Sequence, residues 1–176
     1  MNALARNTIL TLVALFALAA GYLLNRGQFD SAQDAQAVEE LFALSLEDGS
    51  GRAQALKQWQ GKLLVVNFWA TWCPPCLEEM PGFSRLQNKL AANGVQFVGI
   101  GIDSPEKIRQ FTGRTPSAYP LLIGAPGTFA IARKLGDRSD ALPFTLVIDP
   151  KGAVRAAKLG LWNEGELESF LAKIPR

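Results

Sequence analysis

Apolar residues recur with several different spacings along the chain. From Thr8 to Leu24, 17 consecutive residues carry no charge and nearly all are apolar. As a helix this run is about 25 Å long, slightly short of a bilayer core about 30 Å thick, and Arg26 can snorkel to close the gap. Residues 1–25 are therefore expected to be an N-terminal membrane anchor or signal sequence. A cleaved signal would end its apolar region at a small-residue site such as Ala17-Leu18-Ala19. Tyr22, Leu23 and Leu24 continue the run past that point, so an uncleaved anchor is preferred. Residues 26–37 are polar and small and read as a linker. Residues 38–176 read as one domain.

Within that domain the period switches repeatedly. Leu41 to Leu46 predicts a short strand, Asp48-Gly49-Ser50-Gly51 a turn, and Arg52 to Leu56 a returning hairpin strand. The run Leu63 to Phe68 is nearly continuous in apolar residues, as in a strand buried on both faces. Leu77, Met80, Phe83, Leu86 and Leu90 then follow helical spacing, with Gly94 as the stop and Pro81 expected to kink the helix. Val95 to Ile102 is a second buried strand. Ser104-Pro105 opens a short helix to about Phe111. A Gly-, Pro- and Ser-rich stretch from Gly113 contains one short apolar run, Leu121 to Ile123. A helix over Thr128 to Leu135 stops at Gly136. Strands over Phe144 to Asp149 and Val154 to Leu159 flank the turn Pro150-Lys151-Gly152. Asn163 caps a last helix with Glu166 as its capping-box partner and Leu167, Phe170, Leu171 and Ile174 as its apolar stripe. The order predicts an α/β fold, a central mixed β-sheet flanked by helices on both faces.

The chain has 18 basic and 16 acidic residues. Arg6 and Arg26 flank the N-terminal run, and without them the charges balance. A neutral domain without a basic stripe argues against nucleic acid as a partner. The N-terminal charge before the run, and the acids Asp30, Asp34, Glu39 and Glu40 after it, orient the N-terminus to the cytoplasm and export the domain. There is no histidine. That excludes Ser-His and Cys-His nucleophile pairs and histidine metal sites. Two cysteines cannot build a Cys₄ zinc site or ligate an iron–sulfur cluster from one chain.

Those two cysteines stand in Trp72-Cys73-Pro74-Pro75-Cys76, directly after a buried strand and opening a helix. That context marks a redox dithiol. At a helix N-terminus the dipole favours an anion, which lowers the Cys73 pKa and supplies the nucleophilic thiolate. Cys76, one turn further in, is placed to resolve the mixed disulfide by attacking Cys73. Pro74 and Pro75 stiffen the loop and remove two amide donors. As a mere staple, so short a loop would contribute only about 2 kcal/mol. A copper or zinc site would need ligands from a second chain.

The stretch VVNFWATWCPPC, followed by Glu79 and Pro81, resembles the membrane-anchored thioredoxin-like family that includes TlpA, ResA and the cytochrome c maturation protein CcmG. The resemblance covers residues 38–176. It implies a thioredoxin fold, here with an N-terminal β-hairpin extension and one insertion, and dithiol–disulfide exchange with no cofactor and no metal. It also implies that Cys73 attacks, that Cys76 resolves, and that Trp72 flanks the substrate surface. Pro143 is then the cis-proline facing the site, and the backbone of Leu142 pairs with the substrate. Asn67 stands where thioredoxin itself has a buried acid and cannot take a proton. Glu79, one turn past Cys76, is expected to tune the cysteines and shuttle the Cys76 proton. Phe68, Trp59 and Trp162 are assigned to packing.

The function expected is an exported thiol–disulfide oxidoreductase, a reductase of protein disulfides, in cytochrome c maturation or copper-site assembly. It would act on the outer, periplasmic face of the cytoplasmic membrane. Its partners would be a disulfide-containing substrate protein and a membrane dithiol donor of the DsbD/CcdA kind. A disulfide-inserting oxidant and a metal-handling module are the alternatives. A peroxidase of the related peroxiredoxin branch needs P-x-x-x-T-x-x-C, and that pattern fails at Val66. The segment Gly113 to Gly127 is the expected seat of substrate specificity.

Overall fold

The computed structural model describes residues 33–175. The expected anchor and the first part of the expected linker lie outside these residues. Among the described residues no helix is long and apolar enough to cross a membrane. The compact unit starts at Asp34.

Residues 33–42 are helical (α1). This corrects both the linker expected up to residue 37 and the strand expected from Leu41. Ala37, Val38, Leu41 and Phe42 are all buried. Their spacing puts them on one side of a helix, and burying that side outweighs the polar character of the rest. The chain continues through β1 (Ser45–Glu47) and β2 (Ala53–Ala55), then β3 (Leu63–Trp69), α2 (Pro74–Leu90), β4 (Val95–Gly101) and α3 (Pro105–Thr112). It ends with β5 (Leu121–Ile123), α4 (Thr128–Lys134), β6 (Phe144–Ile148), β7 (Val154–Leu159) and α5 (Glu164–Leu171).

β1 and β2 form the expected antiparallel hairpin. Its turn is built on Asp48, whose Oδ1 accepts from the Ser50 and Arg52 amides at 2.9 and 3.1 Å. The main sheet has the order β5-β4-β3-β6-β7. β3 runs parallel to β4 and antiparallel to β6. Every residue of β3 is buried. Alternate side chains supply two cores. Leu63, Val65 and Trp69 pack with residues of α2, α3 and α5, whereas Leu64, Val66 and Phe68 pack with α1, α4 and the hairpin. This is the mixed sheet covered on both faces, the thioredoxin fold.

Helix ends follow their local chemistry. Ser104 caps α3 through its hydroxyl. Asn163 caps α5, accepting from the Glu166 amide at 3.0 Å. The reciprocal half of the expected capping box is replaced: the Glu166 carboxylate pairs with Lys158 at 3.0 Å. Gly94 ends the 3₁₀ turn after α2 at φ 78°, a backbone state that glycine adopts without steric cost.

Candidate active site

The C-terminal end of β3 turns through Ala70-Thr71-Trp72 and delivers Cys73 to the N-cap of α2. Cys73 and Cys76 are joined in a disulfide, and their Cα atoms are 5.3 Å apart. Both are buried, Cys73 3% exposed and Cys76 fully enclosed. Pro74 and Pro75 take the first two helical positions. Neither has an N–H, so the amide of Cys76 is the first that the helix can offer. The amide contribution to holding a Cys73 thiolate is correspondingly small, and the helix dipole is what remains.

The loop before Cys73 is tied across the sheet. Thr71 Oγ1 donates to the Asp103 carboxylate. Burial works against the charge on Asp103. The Thr71 hydroxyl, the Ser104 amide at 2.7 Å and Lys107 outweigh it, and its carboxyl is held below the ordinary range. Trp72 stands out from this loop, 64% exposed beside the buried pair. Trp69 and Phe68 point into the two cores, Trp69 against Phe111 with ring centroids 4.9 Å apart.

β6 runs antiparallel to β3, with Phe144 opposite Phe68. Its first residues therefore lie at the same end of the sheet as Cys73. The Leu142–Pro143 peptide bond there is cis. Pro143 is buried, and its carbonyl accepts from the Gly160 amide at 2.8 Å. Leu142 is half-buried and packs against the core that contains both cysteines.

Glu79 is 4% exposed, one helical turn below Cys76. Its neighbour Glu78, by contrast, is exposed. Asn67 Nδ2 donates to Glu79 Oε1 at 2.7 Å and to Thr145 Oγ1 at 3.0 Å. The Trp162 amide donates to Glu79 Oε2 at 2.9 Å. Burial pushes the Glu79 carboxyl up from 4.5 to about 7, with the Trp162 amide, Asn67 and Lys158 partly opposing it. A buried carboxyl poised near neutrality has the proton affinity that a proton acceptor for a thiol needs. Asn67 thus orients the acid instead of replacing it. Trp162, assigned only to packing, supplies a hydrogen bond from its backbone. A polar Asn67 inside a fully buried strand was the available signal for this network. Among the described residues no cluster of Cys, Asp or Glu is arranged to hold a metal ion.

Residues 37–157 match the AhpC/TSA family, more than half of the chain. The chain belongs to that family. Within this AhpC/TSA setting it is 29% identical to the thiol-disulfide oxidoreductase ResA of Halalkalibacterium halodurans over 166 residues, which are 94% of this chain and 92% of the relative. It is 33% identical to the thioredoxin-like protein YneN of Bacillus subtilis over 131 residues, 72% of this chain and 74% of that one. Its fold matches a crystal structure of a thioredoxin-family thiol:disulfide interchange protein from Chlorobium tepidum with a TM-score of 0.67. The match has 26% identity and covers 73% of this chain and 90% of that one. The AhpC/TSA protein described here is accordingly a thiol–disulfide oxidoreductase, similar to its ResA-named relatives.

Proposed function

We propose that this oxidoreductase works as a reductase of substrate protein disulfides. The observation that carries the reading is the environment of the pair. Pro74 and Pro75 withhold two amides from the helix N-terminus, and the buried Glu79 carboxyl follows Cys76 by one helical turn. Both features leave a thiolate less stabilised than at a donor-rich helix end, and a less stabilised thiolate makes the dithiol a better electron donor.

In the forward reaction the Cys73 thiolate attacks one sulfur of a substrate disulfide. A Cys73–substrate bond forms and the substrate's other sulfur leaves as a thiolate. Glu79 takes the Cys76 proton, and the Cys76 sulfur attacks Cys73, breaking the mixed disulfide. Two electrons have then passed to the substrate, both its sulfurs are reduced, and the enzyme holds the Cys73–Cys76 disulfide. Trp72 and the Leu142 backbone flank the substrate, beside cis-Pro143. A dithiol donor must restore the reduced pair.

The uncharged run from Thr8 to Leu24 supports an anchored enzyme whose catalytic domain lies on the outer face of the cytoplasmic membrane, re-reduced by a membrane donor of the DsbD/CcdA kind. The resemblance of the Trp72-to-Cys76 motif makes cytochrome c maturation or copper-site assembly the setting we propose for it. The test is trapping. Cys76→Ser, reduced and presented with a disulfide-bonded substrate, is expected to accumulate a mixed disulfide through Cys73 while wild type releases reduced product. Release of oxidised product from a dithiol substrate, with no reduction of the disulfide one, would reverse the assignment to an oxidant.

A further inference from the structure

We propose that Lys158 is a positioning residue for this reaction, acting on the Glu79 carboxyl across the Trp162 corner without touching the reacting sulfurs. The proposal rests on the reading of Glu79 as proton acceptor.

The corner between β7 and α5 carries the contacts. Trp162 is buried, and its amide donates to Glu79 Oε2 at 2.9 Å. Its indole packs against Phe170, ring centroids 5.4 Å apart. Lys158 Nζ lies 5.2 Å from the centre of the same indole. From there it reaches Glu166 Oε2 at 3.0 Å on α5. An ammonium on a π-face and a charge-assisted hydrogen bond together fix the cation over the residue that holds the buried acid. Lys158 is a third exposed and Glu166 more than half. The buried carboxyl is thereby joined to a pair of charges in contact with solvent, and Lys158 favours its charged form.

The other groups around Glu79 do not duplicate this cation. Cys76 and Cys73 share its helix. Asn67 from β3 and Thr145 from β6 are neutral. Tyr119 is buried, and burial and Glu79 both push its hydroxyl up, so it stays neutral too. Glu164, at the start of α5, is held by Arg85 at 2.6 Å, and Glu168 by Lys89 at the same distance.

Opposite signs follow for the two ends of the pair. Removing Lys158 takes away an attracting charge and makes Glu79 harder to ionise. Removing Glu166 takes away a repelling charge and leaves Lys158 unneutralised, which makes Glu79 easier to ionise. The readout is the ¹³C-carboxyl NMR titration of Glu79 in the oxidised full chain labelled at glutamate, with Glu79→Gln assigning the signal. Lys158→Gln is expected to raise the midpoint by about half a pH unit and Glu166→Gln to lower it by a similar amount. Lys158→Arg restores the wild-type midpoint. About 0.5 M NaCl moves wild type toward the Lys158→Gln value and leaves that variant in place, because a solvent-facing charge is screened. A wild-type midpoint that persists through both Lys158→Gln and Glu166→Gln, or a shift that Lys158→Arg does not reverse, overturns the proposal and leaves the Glu79 reading intact. A Glu79 that fails to titrate between about pH 5 and 9 overturns both.

Discussion

At the scale of single residues, Glu79 carries the most stringent expectation. Its folded pKa, about 7, stands above the ordinary 4.5. A carboxyl with a raised folded value contributes stability below its unfolded pKa, and that contribution is lost as pH rises through the folded one. Urea unfolding of the oxidised protein should therefore show stability falling by about 3 kcal/mol between pH 4.5 and 7.5 on account of this group. Glu79→Gln should flatten that fall, and an equal slope in the variant would refute the assignment. Catalysis gives the complementary expectation. Exchange by wild type should decline on the acid side as Glu79 becomes protonated, and Glu79→Gln should lose that limb. The type and spacing of the cysteines were legible from sequence because their chemistry is local: two thiols, a strand end and a helix start within a dozen residues. The bonds to Glu79 were not. Its partners Asn67 and Trp162 are 12 and 83 positions away, and no periodicity records which buried amide will face which carboxylate.

At the scale of elements, α2 sets the redox character through its first turn. Pro75→His places an amide donor, and an imidazole that becomes a cation below about pH 6.5, where the native helix has neither. It should stabilise the Cys73 thiolate and raise the reduction potential by about 30 mV or more, the equivalent of one pKa unit; an unchanged potential would show that the first turn does not set it. α5 holds the far side of the site. Leu167 is fully buried against the α2 side of the sheet, and Leu167→Ala should lower unfolding free energy by about 2–5 kcal/mol. The strands were readable because β3, β4 and β6 are buried on both faces and so appear as apolar runs. Helix α1 was not. Its apolar positions Ala37, Val38, Leu41 and Phe42 include a small alanine and sit among Asp34, Gln36, Glu39 and Glu40, and Leu41–Leu46 is a short apolar run broken only by Ser45, which a buried strand can also show. Tertiary burial decided in favour of the helix.

At the scale of the whole molecule, a two-faced sheet brings three distant segments to one end: the β3–α2 junction with the cysteines, the start of β6 with cis-Pro143, and the β7–α5 corner with Trp162 and Lys158. Only the first is announced by its own motif. The other two are placed by the antiparallel return of β6 and β7, which is a property of the fold. The central claim is that this arrangement makes the pair an electron donor. The reduction potential of Cys73–Cys76, measured by equilibrating the purified protein with glutathione or dithiothreitol, tests it most directly. The account predicts a value well below about −200 mV, whereas one near about −120 mV would mark a disulfide-inserting oxidant and contradict it.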